Sequence, residues 1–489
     1  MMIIDAVAHQ ALRNPQGVAV CMQNADVSFQ IFNRSVNQVA NRLKGRLSPG
    51  TRVAVMVDNR YLHWLLLLAV GRLGAVSVSI DPDKHELLLG VVRPGAVLAD
   101  RAVTGQYAPA EIRVTSEWLK ETMQSGSAAP LTNVPRLEDP VRIALSSGTT
   151  GLPKKILFTH AAALQRAIGG AESYPVRQHR RFLSLFGIDT AGGYAMSMRT
   201  WLLGGAVCLF PADPSLLATR NVAGIAGAPR QLQVLLSRLP KDFAPLPRLS
   251  ITLGGGRISK ELSRQLRQRL SPDVTLTYGS TEAWAVASCP LQLLDRDPDL
   301  SGILLPCREV EAISSAGESL PPGEVGEIRI RTPEVCPGYL EDDEATARSF
   351  RNGWFYPGDV GSVSAAGELK ILGRVDDVMN AGGVKVAPDV IEEILMTVPG
   401  ILDVGVFSME HDRRTNFWAA IVSGGAVDFS AAQAAVNRRL ASGNALLRFV
   451  SVPSIPRNAM GKIQRLELRK QAEALSAGEA AAPARALQS

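Results

Sequence analysis

Four hydroxyls, two glycines and two lysines fall within one short stretch, Leu145-Ser146-Ser147-Gly148-Thr149-Thr150-Gly151-Leu152-Pro153-Lys154-Lys155. A strand-like run, Val141–Leu145, leads into it. Glycines at 148 and 151 let the backbone turn tightly and aim several N–H groups at one anion. The hydroxyls of Ser146, Ser147, Thr149 and Thr150 add short donors, and Thr150 is also placed to touch a magnesium ion. Lys154 and Lys155 bring positive charge to a polyphosphate. The G-x-x-x-x-G-K-[ST] spacing is not met, so P-loop kinase or ATPase chemistry is not implied. The plainer alternative is a Ser/Thr-rich surface turn.

Other segments carry candidate chemistry: Tyr278-Gly279-Ser280-Thr281-Glu282, Trp354-Phe355-Tyr356-Pro357-Gly358-Asp359 and Pro456-Arg457-Asn458-Ala459-Met460-Gly461-Lys462-Ile463. Taken singly, Tyr278 reads as core, Glu282 as a helix-start carboxylate, Asp359 as a turn cap and Lys462 as a solvated loop lysine. In order along the chain, however, they resemble the motifs of the adenylate-forming superfamily: acyl- and aryl-CoA ligases, luciferases and peptide-synthetase adenylation domains. The string S-S-G-T-T-G-L-P-K-K resembles its phosphate loop. Arg72-Leu73-Gly74-Ala75-Val76 with Asp81-Pro82 resembles an early structural motif, and Gly373-Arg374-Val375-Asp376-Asp377 resembles the interdomain hinge.

The resemblance implies specific roles. Tyr278 stacks on adenine, Thr281 contacts phosphate beside Gly279 and Ser280, and Glu282 with Thr150 holds magnesium. Asp359 accepts from the ribose hydroxyls, Arg374 borders the nucleotide, and Asp376 is the pivot. Lys462 is the catalytic cation. Asn380-Ala381-Gly382-Gly383-Val384-Lys385 resembles the loop that nears the pantetheine tunnel, where Gly382 and Gly383 admit the thiol. The chain departs from the pattern at Tyr356-Pro357 and at Val390, where a glutamate is usual.

This chemistry has a clear physical need. A carboxylate is a poor acyl donor; attack on the α-phosphorus of ATP makes a mixed anhydride whose leaving group is AMP. An anion must approach a polyanion, so preorganised cations and N–H donors are the remedy. Lys462 would serve the α-phosphate, and magnesium the departing pyrophosphate. The second half-reaction passes the acyl group to the thiol of coenzyme A. ATP, Mg2+ and coenzyme A are thus the expected cofactors. Two rivals remain: an adenylating enzyme that loads a carrier-protein phosphopantetheine, and a non-catalytic nucleotide-binding homologue.

The acyl pocket is expected to border Gly187 and Asp189, within Ser184-Leu185-Phe186-Gly187-Ile188-Asp189, and the run Gly254-Gly255-Gly256-Arg257. Asp189 fits either an amine partner or a helix N-cap. Arg257 stands where the family has proline, and fits a second carboxylate, the nucleotide or plain solvent. The acid itself is not readable.

These residues need elements to hold them. Short β-rich runs alternate with helical segments up to about residue 375: Thr51–Val57, Tyr61–Leu73, Ala75–Ile80, then pairs near Arg181–Phe186 with Tyr194–Leu203 and Leu249–Leu253 with Lys260–Leu270. That alternation predicts an α/β fold. From Gly323 the texture changes to short strands and turns. The C-terminal stretch predicts a small α+β unit, with helices Asp389–Met396 and Ser430–Leu440 and strands Val404–Phe407 and Phe417–Val422, and the resemblance implies that this unit is mobile. The expected division is a large domain, 1–375, of α/β layers with a β-rich subdomain, and a small domain, 376–489. The Ala-rich tail after Ala472 is expected to end in a frayed helix and disorder.

Composition narrows the class. Of 489 residues 46% are hydrophobic and 20% charged, as in ordinary globular proteins, and the net charge of +6 suits an anionic ligand. No basic run interleaved with aromatics speaks for nucleic acid. The five cysteines lack zinc spacing, which argues against a structural metal site and for a reducing compartment. Neither a secretory leader nor an apolar run long enough to span a bilayer is evident, so a cytoplasmic enzyme without integral membrane association is expected.

Overall fold

The computed structural model describes residues 1–105, 107, 109–131, 135–146, 152–169, 180–377, 379–381, 384–411, 414–439, 447–457 and 461–480. Ser147, Gly148, Thr149, Thr150, Gly151, Gly382 and Gly383 lie outside them, as does the end of the Ala-rich tail.

Val53–Met56 is an uninterrupted apolar run because both faces of its strand are covered. Val53 and Val55 join one core cluster while Ala54 and Met56 join another, as the two-residue repeat of a strand requires. The strand Arg52–Met56 pairs in parallel with Val76–Ser79 and Ala96–Ala99 in a six-stranded sheet. Pro140–Ser146 joins Val76–Ser79 in parallel, then folds back antiparallel as Lys154–Thr159.

A larger sheet contains the parallel set Arg181–Ser184, Val222–Gly227, Ser250–Gly254 and Asp273–Ser280. Between the two sheets lie the helices Phe29–Leu43, Arg60–Arg72 and Ala191–Leu202. Leu62 to Arg72 are all buried, which is why that helix is apolar nearly all round. The aromatic rings of Trp64, Tyr194 and Trp201 cement the layer, with Trp64 edge-on to Trp201 at 4.8 Å.

Beyond Trp284–Pro290 the large sheet becomes antiparallel and takes in Gly302–Leu304, Gly326–Arg331, Asp359–Val363 and Glu368–Arg374, the β-rich part of the large domain. The C-terminal residues build a separate three-stranded sheet of Ile401–His411, Arg414–Ser423 and Leu447–Ser451. The helices Pro388–Leu395 and Phe429–Arg439 cover one face and Arg465–Ala480 the other, so Val404 and Val406 fall in one cluster and Phe407 in the next. Among the described residues no helix is long and apolar enough to cross a membrane.

Candidate active site

In open α/β sheets ligands sit outside the carboxyl ends of parallel strands. That rule brings three separated motifs to one edge. The loop with Gly187 and Asp189 follows Arg181–Ser184, the Gly254–Arg257 run ends Ser250–Gly254, and Tyr278 to Ser280 end Asp273–Ser280. Gly254 pairs with Thr277, and a side chain on it would come within 2.9 Å of the Thr277 carbonyl oxygen. Gly255 has φ +83°, which glycine adopts without strain.

The segment Thr281–Ala283 is a turn between antiparallel strands; no helix starts at Glu282, contrary to the isolated reading of that carboxylate. The turn is tight enough that Trp284 takes φ +63°, and a side chain at Gly279 would meet the Trp284 carbonyl oxygen at 2.1 Å. Arg166 holds it from behind, donating to the carbonyls of Thr281 (2.5 Å), Glu282 (2.9 Å) and Glu334 (2.6 Å). Burial lowers the Arg166 pKa to about 10, so the guanidinium stays charged at neutral pH. The Glu282 carboxylate is only 9% exposed and accepts from the Tyr339 hydroxyl at 3.1 Å. Burial and the charge of Glu282 push the tyrosine pKa up, which keeps it a donor.

Asp359 opens the strand Asp359–Val363, cross-strand from Arg374. Its Oδ2 accepts from the Tyr278 hydroxyl at 2.5 Å and its Oδ1 from Arg374 Nη1 at 3.1 Å. Tyr278 is therefore tied to the aspartate rather than being plain core; burial, then the aspartate's charge, raise its pKa. Each carboxylate oxygen retains a second lone pair for a ligand hydroxyl.

At the hairpin neck Ser146 pairs with Lys154. The two lysines separate: Lys155 Nζ bonds Glu341 at 2.6 Å and the Val91 carbonyl at 3.1 Å, whereas the Lys154 ammonium sits 4.4 Å over the Tyr339 ring. Arg52 also pairs with Glu341, and these partners hold its pKa down at about 2.

Lys462 comes from the small domain. Gly461 before it has φ +79° and lies against Arg230 of the helix Pro229–Ser237. A cavity of about 420 Å³ opens there, bordered by Ser184, Leu185, Arg230, Gln231, Arg457 and Gly461. Lys462 is exposed to solvent. Desolvation lowers its pKa, while the charges of Asp359, Asp389 and Glu282 act in the opposite sense.

Asp376 occupies an exposed turn just after Glu368–Arg374. Asp189 is exposed and is not the N-cap of the following helix: Thr190 takes that place, accepting from Gly193 N–H at 3.0 Å. Arg257 pairs with Asp299, so its charge is already met. Arg166 and Tyr339 were not legible in the sequence; a lone arginine in a helical run and a tyrosine in a loop carry no spacing signal.

A buried hard carboxylate such as Glu282, next in the chain to Thr281, suits magnesium, which is held by one or two carboxylates together with substrate phosphates. Among the described residues no cluster of three or more His, Cys, Asp or Glu forms a metal site of its own.

The family model for AMP-binding enzymes matches residues 7–340. The chain is 29% identical over 477 residues to a 2-succinylbenzoate–CoA ligase of Bacillus cereus, covering 95% of this chain and 97% of that protein. Its fold superposes on ATP-bound MatB from Rhodopseudomonas palustris with a TM-score of 0.84 at 23% identity, over 96% and 99% of the two chains. It superposes equally on O-succinylbenzoate coenzyme A synthetase from Bacillus subtilis in complex with ATP and magnesium, at TM-score 0.84 and 21% identity over 95% and 99%. A match over residues 7–340, more than half of its length, identifies the chain as a member of the AMP-binding enzyme family.

Proposed function

We propose that this chain is an AMP-forming acid–CoA ligase: it converts a carboxylic acid and ATP into acyl-adenylate and pyrophosphate, then transfers the acyl group to coenzyme A with release of AMP. The observation that carries this reading is the pair of braced carboxylates, Asp359 held by Tyr278 and Arg374 and Glu282 held by Tyr339, in a chain of the AMP-binding enzyme family.

In the first step a carboxylate oxygen attacks the α-phosphorus and pyrophosphate leaves with the β,γ-phosphates. Lys462 offsets the negative charge that builds on the α-phosphate. Asp359, held by Tyr278 and Arg374, accepts from the ribose hydroxyls, and the Tyr278 ring faces the adenine. The phosphate loop of Ser146, Ser147, Gly148, Thr149, Thr150 and Gly151, with Lys154, cradles the pyrophosphate. Glu282 and Thr150 would hold magnesium, which supplies charge neutralisation at the leaving group.

In the second step the thiol sulfur attacks the acyl carbonyl, the thiol proton is lost and AMP departs. The chain divides at 375/376, Asp376 is the pivot, and Gly382 and Gly383 line the thiol's approach. Gly187 and Gly254–Gly256 border the acid. The enzyme acts in the cytoplasm.

The test is pyrophosphate exchange across a panel of acids, with 2-succinylbenzoate first because the curated relatives are named for it, followed by thioester analysis with coenzyme A. Acid-dependent exchange with acyl-CoA formation is expected. Exchange without acyl-CoA would assign the acceptor to a carrier-protein phosphopantetheine. ATP binding without exchange for any acid would overturn catalysis altogether.

A further inference from the structure

The segment Cys336–Glu341 crosses the large domain between the two elements that would meet the phosphates and the metal. It is bonded to both. On the Glu282 side, Cys336 N–H donates to the Glu282 carbonyl at 2.9 Å and the Tyr339 hydroxyl donates to Glu282 Oε1 at 3.1 Å. On the hairpin side, Leu340 N–H donates to the Lys155 carbonyl at 2.8 Å, Glu341 pairs with Lys155, and the Tyr339 ring lies under Lys154.

Tyr339 itself has little freedom. It is 7% exposed, its N–H donates to Thr346 Oγ1 at 2.9 Å, and its ring meets Phe350 edge-on at 5.4 Å. One side chain therefore presents a hydroxyl to the carboxylate and a π-face to the ammonium. A hydrogen bond to one carboxylate oxygen fixes the rotation of the group and leaves the other for a cation. A ring face under an ammonium places that charge without neutralising it, as a carboxylate would.

We propose that Tyr339 is a positioning residue shared by the metal carboxylate and the phosphate lysine, its hydroxyl setting Glu282 for magnesium through Oε2 and its ring seating Lys154 for the polyphosphate. This rests on the reading of Glu282 as the metal ligand and Lys154 as a phosphate contact. It makes the strap a device that registers metal and phosphate against each other. The contrast with Lys155, which Glu341 neutralises, explains why one lysine of the adjacent pair is kept for the ligand.

The experiment uses the full chain with Mn2+ and ATP as probes. Electron paramagnetic resonance gives the Mn2+ concentration that half-fills the protein–ATP complex, and calorimetry in chelator gives the metal-free ATP affinity. Tyr339→Phe keeps the ring and removes the hydroxyl; it should raise the Mn2+ requirement about tenfold and leave metal-free ATP affinity within about twofold. Tyr339→Leu should weaken both. A wild-type Mn2+ requirement in Tyr339→Phe, with Glu282→Gln impaired, overturns the proposal and spares the site. A wild-type Mn2+ requirement in Glu282→Gln removes the metal ligand, and with it the reading on which the proposal stands. Unchanged metal-free ATP affinity in Tyr339→Leu overturns the lysine half.

Discussion

The proposed nucleotide side and the proposed acyl side of the site are built on different principles. On the nucleotide side, functional groups are cross-braced: Tyr278 and Arg374 grip Asp359, Tyr339 grips Glu282, and Arg166 grips the turn that carries Glu282. The braces span from 15 residues, between Arg374 and Asp359, to 116, between Arg166 and Glu282. On the acyl side the same edge of the sheet offers glycines and an exposed aspartate, and its arginine is occupied by Asp299. A site for one invariant ligand gains from donors and acceptors fixed in advance, because no reorganisation is then needed at the moment of reaction. A site that must fit a particular acid is shaped by the space its glycines leave.

Lys462 belongs to neither wall, so removing it should cost most. Lys462→Ala should slow acyl-adenylate formation about a hundred- to a thousandfold, the loss seen when one oxyanion donor is removed. Conversion of supplied acyl-adenylate to thioester should survive. Single-turnover assays of the two steps separate them, and a near wild-type adenylation rate would place the cation elsewhere. The lysine must be protonated to serve the α-phosphate, and its pKa lies below the ordinary 10.5. Adenylation should therefore decline as pH rises through that lowered value, earlier than a solvated lysine would allow.

The proposed domain rotation gives a second test. Asp376→Pro fixes φ near −65° at the proposed pivot. If the orientation so locked is the adenylating one, pyrophosphate exchange persists while thioester formation falls about a hundredfold, the penalty of a misplaced reacting group. Equal rates in both steps at wild-type levels would move the pivot away from this turn.

A smaller effect tests the braces. Asp359→Asn keeps shape, removes the charge and weakens the grip of Arg374. Loss of charged hydrogen bonds of about 1.5–3 kcal/mol should lower ATP affinity roughly ten- to a hundredfold. Calorimetry with ATP and 2′-deoxy-ATP checks it, and unchanged discrimination between them would take Asp359 out of the ribose contact.

The acyl side should respond most selectively. Substitution at Gly254 meets the Thr277 carbonyl and at Gly255 a positive φ, so Gly256 is the position to probe: a side chain there meets only Pro229, at 3.7 Å. Gly256→Ala should shift relative kcat/KM between acids about tenfold, the scale of one methylene in a pocket, while the KM for ATP stays within about twofold. An unchanged acid profile would dissolve the contrast between the walls on this side.

Much of this molecule was legible in the residues alone. Alternating apolar runs marked Arg52–Met56, Arg60–Arg72, Pro388–Leu395 and the sheets they serve, because burial imposes a period on whatever element must hide one face or both. The loop strings around Ser146, Tyr278, Asp359 and Lys462 pointed to a nucleotide only together, through their resemblance in chain order to the motifs of the adenylate-forming superfamily. What tertiary structure decided was pairing. That Asp359 is gripped by Tyr278 and Arg374, and that Glu341 claims Lys155 and leaves Lys154 on a tyrosine face, follow from packing between elements separated in the chain, whereas the capping of its helix by Thr190 rather than Asp189 is a choice between neighbours. A side chain's partner is set by which elements the core brings together, and local spacing carries no record of that.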